Sequence, residues 1–158
     1  MRAPFQVVIF PFRRVRERTE LAIFLRSDLG IWQGLAGGGE DVETPLQAAQ
    51  REAFEEGGIP GDAPYFALTA SSSVPVSCIG AAARAHWPAD LYVIPNHAFA
   101  VEVAAEFLPV LSREHVELAW CSYEDAYSRL HYESNRVAIE ELSRRIDDGR
   151  LSPIRIAT

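Results

Sequence analysis

Apolar residues near the start of the chain occur in short runs bounded by charged residues and turns, a pattern typical of β-strands. FQVVIFPF, residues 5–12, predicts a strand that Pro11 ends or bulges. LAIFLRSD, residues 21–28, predicts a second strand, which can pair with the first as a hairpin across the charged turn at residues 13–20. Further along, YFALTASSSVPVSC and HAFAVEV predict strands within the region from Tyr65 to Val103.

Residues 44–58 carry a full set of helix signals. Thr44 suits the N-cap and Pro45 the first helical position, and Thr44 and Gln47 have capping-box spacing. The pair Gly57–Gly58 predicts the end of the helix. The preceding segment, LGIWQGLAGGGEDVE, has five glycines and predicts a loop whose backbone can approach a ligand closely.

The last third of the chain predicts one strand and two helices. SREHVELAWCS starts as a loop and ends as a short strand, and SYEDAYSRL predicts a short helix capped by serine. ESNRVAIEELSRRIDDG predicts a longer helix, with Ala138, Leu142 and Ile146 on one face. Because strands and helices mix without regular βαβ alternation, we expect an α+β fold with a mixed sheet sandwiched between helices.

Composition narrows the class of protein. The 158 residues suffice for one domain, so we expect a single domain over residues 1–158. A net charge of -7 argues against binding a nucleic acid polymer, although a metal ion could still bring in a small nucleotide. No apolar run reaches the roughly 18 residues of a membrane span. The start lacks the order of a secretory leader, and Cys78 and Cys121 form no CxxC motif, so we expect reduced thiols in a cytoplasmic protein.

The helix at residues 44–58 contains an unusual acidic cluster. At about 100° per residue, Glu52, Glu55 and Glu56 fall on one face, which Ala48 leaves open one turn earlier. Leu46, Ala49 and Ala53 form an adjacent apolar stripe that would dock on the sheet. A solvated acidic face is the ordinary explanation, but such faces usually include lysine four residues away. Three hard oxygen ligands within one turn instead favour Mg²⁺ or Mn²⁺.

The spacing of these residues resembles the motif of a known family. Residues 37–59 match the Nudix box, G-x5-E-x7-R-E-U-x-E-E-x-G-U with U apolar, at every fixed position from Gly37 and Glu43 to Gly58 and Ile59. Ala53 is a small member of the U class. The resemblance implies the Nudix fold and the hydrolysis of a nucleoside diphosphate linked to another group, with Mg²⁺ as cofactor and Mn²⁺ as a possible substitute.

The resemblance also implies roles for the box residues. Glu55 and Glu56 would be metal ligands, and Glu52 a ligand or the base that deprotonates the attacking water. Arg51 would orient the glutamates, Glu43 would fix the loop, and the Ala36 carbonyl could be a further ligand. Gly37 and Gly38 are candidate substrate contacts.

Two further segments resemble the bacterial branch of dihydroneopterin triphosphate, or dATP, pyrophosphohydrolases. They contain Trp32-Gln33 before the glycines, Glu114-His115 in a late loop and Ser134-Asn135-Arg136 at the start of the last helix. By this match Glu114 completes the metal site or acts as the base, with Glu117 as a neighbouring competitor. The resemblance implies a small nucleotide or pterin phosphate as the substrate, with no membrane partner and a possible homodimer.

Several flanking residues have both a functional and a structural interpretation. Arg26 could contact a phosphate or be an exposed strand end, Trp32 could stack on a ring or pack in the core, and His115 could touch substrate or be an ordinary loop histidine. The basic patch formed by Arg13, Arg14, Arg16 and Arg18 is better explained as a solvated turn than as a phosphate site.

Alternatives to a triphosphate pyrophosphohydrolase remain open. Pro75 lies sixteen positions past Ile59, near a proline that marks the ADP-ribose-cleaving branch, so ADP-ribose or a nucleotide sugar is a second candidate substrate. A nucleotide sensor without turnover would have no need of all three glutamates. An isoprenyl diphosphate isomerase would use a cysteine, and neither Cys78 nor Cys121 has matching surroundings.

Overall fold

A seven-stranded mixed sheet forms the centre of the computed structural model, which describes residues 1–155, so the last three residues of the predicted domain lie outside it. The described elements run in chain order as β1 (Arg2–Val15), β2 (Arg18–Arg26), β3 (Trp32–Gln33), β4 (Leu35–Glu40), α1 (Pro45–Gly57), β5 (Tyr65–Pro75), a 3₁₀ turn (Val76–Cys78), β6 (Val93–Val103), β7 (His115–Cys121), α2 (Tyr123–Arg129) and α3 (Glu133–Asp147).

Strand β1 organises the sheet. The strand order is β3-β2-β1-β6-β5, with β4 paired to β1 and β7 paired to β2. β1 pairs antiparallel with β2, which confirms the predicted hairpin, and parallel with β6 on its other side. Along one side of β1, the partner changes from β4, paired as far as Ile9, to β2, paired from Phe12.

Pro11 does not end the first strand, contrary to the sequence prediction. It falls in the gap between the β4-paired and β2-paired parts of β1, where no ladder partner lies on that side. A missing backbone N–H is tolerated at such a position, whereas it breaks a ladder inside a continuously paired strand. The strand therefore continues to Val15.

The predicted glycine loop is also partly wrong, because its second half is strand β4. Gly37 and Gly38 pair with Val7 and Gln6 of β1. The absence of side chains lets other groups pack directly on this strand: a methyl group at Gly37 would overlap the Glu52 carboxyl, and one at Gly38 would overlap the Arg2 guanidinium. The glycines therefore serve close packing of side chains on a strand.

Helix α1 begins and ends as predicted. The Thr44 side chain accepts a hydrogen bond from the Gln47 amide, the Gln47 side chain accepts one from the Thr44 amide, and Gly58 closes the helix in the left-handed conformation. Ala49 and Ala53 are fully buried, as expected. Ala48 is fully buried too and does not leave an open face, because this side of α1 also turns toward the sheet.

The sheet carries helices on both faces, which confirms the predicted sandwich. Val8, Phe10 and Phe12 alternate toward the face covered by α2 and α3, where Ala138 and Leu142 are buried. Val7, Ile9 and Phe24 point to the opposite face, against α1. Ser122 caps α2 as predicted. No helix within residues 1–155 has both the length and the apolar character needed to cross a membrane.

Candidate active site

Arg51 is the hub of an ion-pair network at the α1–β4 junction. Its guanidinium donates two hydrogen bonds to Glu43, at 2.8 and 3.0 Å, and one to the Gly38 carbonyl at 2.7 Å. It also contacts Glu52 at 2.9 Å and Glu55 at 3.3 Å. The hydrogen bonds to Glu43, although opposed by burial, raise the pKa of Arg51 above its ordinary value. One side chain therefore joins strand β4, the turn before α1 and two carboxylates of the acidic cluster.

Glu56 is the buried carboxylate of the acidic cluster. Only 4% of the residue is exposed, and its Oε2 accepts a hydrogen bond from the Ala36 amide at 3.3 Å. Burial first, and then the charges of Glu52 and Glu114, raise the pKa of Glu56 well above its ordinary range. The Glu114 carboxyl, whose charge acts on Glu56, comes from the loop before β7, far away in sequence. The fold thus brings the late-loop glutamate to the α1 cluster.

The remaining two carboxylates differ in their surroundings. Glu52 lies against Gly37, and burial raises its pKa although Arg51 opposes the shift. The Glu55 side chain is 56% exposed. Within residues 1–155, no three His, Cys, Asp or Glu side chains already converge closely enough to hold a metal ion.

The donor set nevertheless fits a divalent cation. Carboxylate oxygens are the ligands that Mg²⁺ and Mn²⁺ prefer, and a cation near Glu56 would relieve the repulsion among Glu52, Glu56 and Glu114. Glu55, on the same turn of α1, could supply a further ligand.

A cavity of about 350 Å³ opens beside this cluster. Ala36, whose amide binds Glu56, and Arg26, whose Nη1 lies 3.7 Å from Glu114 Oε2, are both part of its wall. Its other walls come from β1, β5, β6, the 3₁₀ turn and the start of α3. A ligand in the cavity could therefore extend directly to the carboxylates.

The structure separates the flanking candidates. Arg26 lines the cavity, and its guanidinium forms a two-point contact with Asp28 at 2.9 and 2.7 Å. His115 is buried against the Phe24 ring, and neither of its ring nitrogens has a hydrogen-bond partner among the residues that the structure describes. Trp32 is not part of the cavity wall; it packs against the core, with Arg129 over its ring at 5.7 Å.

The basic patch before β2 is partly neutralised by local pairs. Arg13 binds Glu20 at 3.0 Å, and Arg14 binds Glu102 at 3.0 Å. The guanidinium of Arg13 also lies 4.1 Å from the centre of the Trp120 ring. These contacts agree with the structural explanation of the patch.

Sequence reasoning missed several residues of the site. Arg2 lies half-buried against Gly38, where burial lowers the pKa of its guanidinium and the nearby Glu52 charge opposes that shift. Gln6, Gln33 and Asn96 line the cavity. The signal for Gln6 is a polar residue inside the apolar run FQVVIF, but only the sheet register shows what lies beside it.

Comparisons with known proteins agree with this geometry. The family model described as the NUDIX domain matches residues 6–142. Nudix hydrolase 12 of Arabidopsis thaliana is 32% identical over 120 residues, which is 72% of this chain and 53% of the plant protein, so the chain spans about half of that relative. The dihydroneopterin triphosphate diphosphatase of Haemophilus influenzae is 30% identical over 123 residues, 73% of each chain.

A solved structure extends the agreement to the whole fold. A NUDIX hydrolase structure from Listeria monocytogenes superimposes with a TM-score of 0.82 at 32% identity, covering 96% of this chain and all of the other. The resemblance predicted from residues 37–59 is thereby confirmed, as is the branch that includes the dihydroneopterin triphosphate enzyme.

Proposed function

We propose that this chain, which belongs to the Nudix family, is a metal-dependent pyrophosphohydrolase that cleaves a nucleoside or pterin triphosphate to the monophosphate and pyrophosphate. The observation that carries the proposal is a carboxylate cluster, in which Glu56 is buried, beside a cavity large enough for a small molecule. Ala36 connects the two: it is part of the cavity wall, and its amide donates a hydrogen bond to the Glu56 carboxylate. Phosphates entering from the cavity would meet the cluster directly.

Glu52, Glu55, Glu56 and Glu114 are the residues that would hold a divalent cation, with Mg²⁺ as the expected ion and Mn²⁺ as a possible one. The cation would supply positive charge for the phosphates and a lower pKa for a nearby water. The protein must keep several negative charges close together until that happens. Arg51 does so by contacting Glu52 and Glu55 while it is anchored on Glu43 and Gly38.

The reaction requires a base and an orienting site for the phosphates. The attacking water oxygen forms a bond to phosphorus, the bridging P–O bond breaks with its electrons on pyrophosphate, and the water proton passes to a carboxylate. Glu52 and Glu114 are the candidates for that carboxylate. Arg26, which lines the cavity, would contact a phosphate. Gly37 and Gly38, the other predicted contacts, are not part of this proposal, because the Glu52 carboxyl and the Arg2 guanidinium pack against them. His115 would bound the site from its buried position beside Glu114.

A second substrate class has one observation in its favour. Pro75, which lies near the position of the proline that marks the ADP-ribose-cleaving branch, lines the cavity. An enzyme of that kind would release two monophosphates from ADP-ribose or a nucleotide sugar, using the same carboxylates.

A product analysis separates these possibilities. The protein is incubated with Mg²⁺ and with dihydroneopterin triphosphate, the common (d)NTPs, ADP-ribose or nucleotide sugars, and products are resolved by chromatography. We expect a monophosphate and pyrophosphate from at least one triphosphate. Two monophosphates from ADP-ribose alone would move the protein to the second class, and binding without turnover of any compound would favour a nucleotide sensor.

A further inference from the structure

We propose that Gln6 and Asn96 determine which substrate ring the enzyme accepts, and that they select a neutral heterocycle with an exocyclic amino group beside a ring nitrogen. The inference rests on the proposed triphosphate substrate and adds to it the class of its ring. It is carried by a row of polar side chains on the sheet, by their unpaired hydrogen-bonding groups and by the near absence of charge around them.

The row crosses three neighbouring strands. Gln6 of β1 is in register with Asn96 of β6, and Asn96 is in register with Ser72 of β5. Gln6 points to the same face of β1 as Val8 and Phe10, because side chains two residues apart share a face. That face is apolar where α3 covers it and becomes polar where it forms part of the cavity wall. The change in polarity therefore coincides with the cavity.

Both amides have unmet hydrogen-bonding capacity. Within residues 1–155, Gln6 Oε1 and Asn96 Oδ1 are buried and have no hydrogen-bond partner, whereas Asn96 Nδ2 donates to Ser72 Oγ at 3.2 Å. Buried polar groups in folded proteins are nearly always paired, so acceptors of this kind beside a cavity favour a ligand that can donate hydrogen bonds to them. The contact with Ser72 orients the Asn96 amide, so the group left unpaired on each side chain is an oxygen that accepts a hydrogen bond.

The charge of the wall indicates which part of a substrate lies here. Among the described residues that line the cavity, Arg26 is the one charged side chain, and it is paired with Asp28 at the end nearest the carboxylates. The rest of the wall is neutral, with Gln33, Asn135 and Tyr132 adding polar and aromatic surface. A neutral planar ring suits the part of the cavity away from Arg26, and the phosphates suit the part beside Arg26.

An amide recognises one kind of ring edge particularly well. Its oxygen accepts from an amino group while its NH₂ donates to the adjacent ring nitrogen, as asparagine and glutamine do with adenine. Adenine, guanine and the pterins all carry an amino group beside a ring nitrogen. Hypoxanthine has a purine ring of nearly the same shape but no amino group, so it provides the matched comparison.

The test compares dATP, dGTP and dITP in the wild-type protein and in Gln6→Leu and Asn96→Leu. We expect kcat/KM for the better of dATP and dGTP to exceed that for dITP by roughly 10- to 100-fold, the effect of leaving a buried polar group unpaired. The ratio should fall below about threefold in both variants. Gln50→Leu is the matched control, because its amide binds the Gly61 carbonyl outside the cavity, and it should keep the wild-type ratio.

Binding of dAMP, dGMP and dIMP without metal, measured by calorimetry, separates this inference from the proposed function. If no triphosphate is hydrolysed but an amino-bearing monophosphate binds more tightly than dIMP, the ring assignment stands and the proposed function fails. If triphosphates are hydrolysed but dITP equals the best of them, the ring assignment fails. It also fails if the preference survives both leucine substitutions. The wild-type comparison decides the ring class even where a variant does not fold.

Discussion

Replacing Arg51 tests whether the ion-pair hub holds strand β4 and the turn before α1 to the helix. Arg51→Ala removes the two hydrogen bonds to Glu43, one to the Gly38 carbonyl and one to Glu52, all at 3.0 Å or less. The side chains of Arg51 and Glu43 are only 21% and 23% exposed. Hydrogen bonds to charged groups contribute about 1.5–3 kcal/mol each, but these share one guanidinium and are not additive. We therefore expect a loss of about 2–4 kcal/mol in the free energy of unfolding.

Urea denaturation without divalent ions measures this loss, and thermal melting should show a decrease of roughly 4–16 °C for a chain of this size. Arg51→Lys keeps the charge but not the planar guanidinium, so it should recover less than half of the unfolding free energy lost in Arg51→Ala. Arg144→Ala is the control, because the side chains of Arg144 and its partner Glu140 are 76% and 47% exposed. This substitution should lower the free energy of unfolding by less than about 0.5 kcal/mol. The reasoning is refuted if Arg51→Ala is no more damaging than Arg144→Ala.

Three further changes probe the site and its support. Glu56→Gln replaces a carboxyl whose ionisation burial disfavours with a neutral amide of similar shape, so the metal-free protein should be at least as stable as wild type. Turnover at limiting Mg²⁺ should fall by roughly 100-fold or more, and wild-type turnover would contradict the metal-site assignment. Gly37→Ala places a methyl group on the Glu52 carboxyl, and steady-state assays should show roughly tenfold lower activity; an unchanged rate would mean that Glu52 can move freely. Glu141 is partly buried, which opposes ionisation, but hydrogen bonds from Thr69 and the Ala70 amide hold its pKa below 4.5. Its stabilising contribution is therefore present above about pH 4.5 and lost as the pH falls below that value, so the stability gap to Glu141→Gln in urea melts should narrow toward pH 3, and a constant gap would contradict the assignment.

Local chemistry in the sequence was enough to predict α1. At the start of the helix Thr44 and Gln47 bond to each other, and at its end Gly58 bonds to Ala53 and Phe54. Each signal involves only neighbours about one turn away, so no tertiary information was needed. The same holds for Ser122 at the start of α2. The acidic cluster was predictable for the same reason, since helix periodicity places Glu52, Glu55 and Glu56 on one side.

Features that depend on pairing between distant segments were not predictable. The glycines of β4 look like a loop in isolation, and only the β1 edge beside them makes a strand. Pro11 looks like a strand end, and only the change of partner from β4 to β2 makes it tolerable. Glu56 could not be distinguished from Glu55 in sequence, although one is buried and the other exposed.

The residues that line the cavity were even harder to predict from the sequence. Gln6 and Asn96 are ninety positions apart, and neither belongs to a recognisable motif. They become neighbours through the parallel pairing of β1 and β6. The residues proposed to select the ring come together through the sheet register, whereas Glu52, Glu55 and Glu56 lie on one helix.

A crystal structure with Mg²⁺ and a non-hydrolysable α,β-methylene triphosphate of the best substrate tests the central claim most directly. The account predicts a metal ion contacting Glu56 and at least one of Glu52 and Glu55, with phosphates beside Arg26 and the ring between the β1–β6 floor and Tyr132. A metal ion bound away from α1, or a ring outside the cavity, would contradict it.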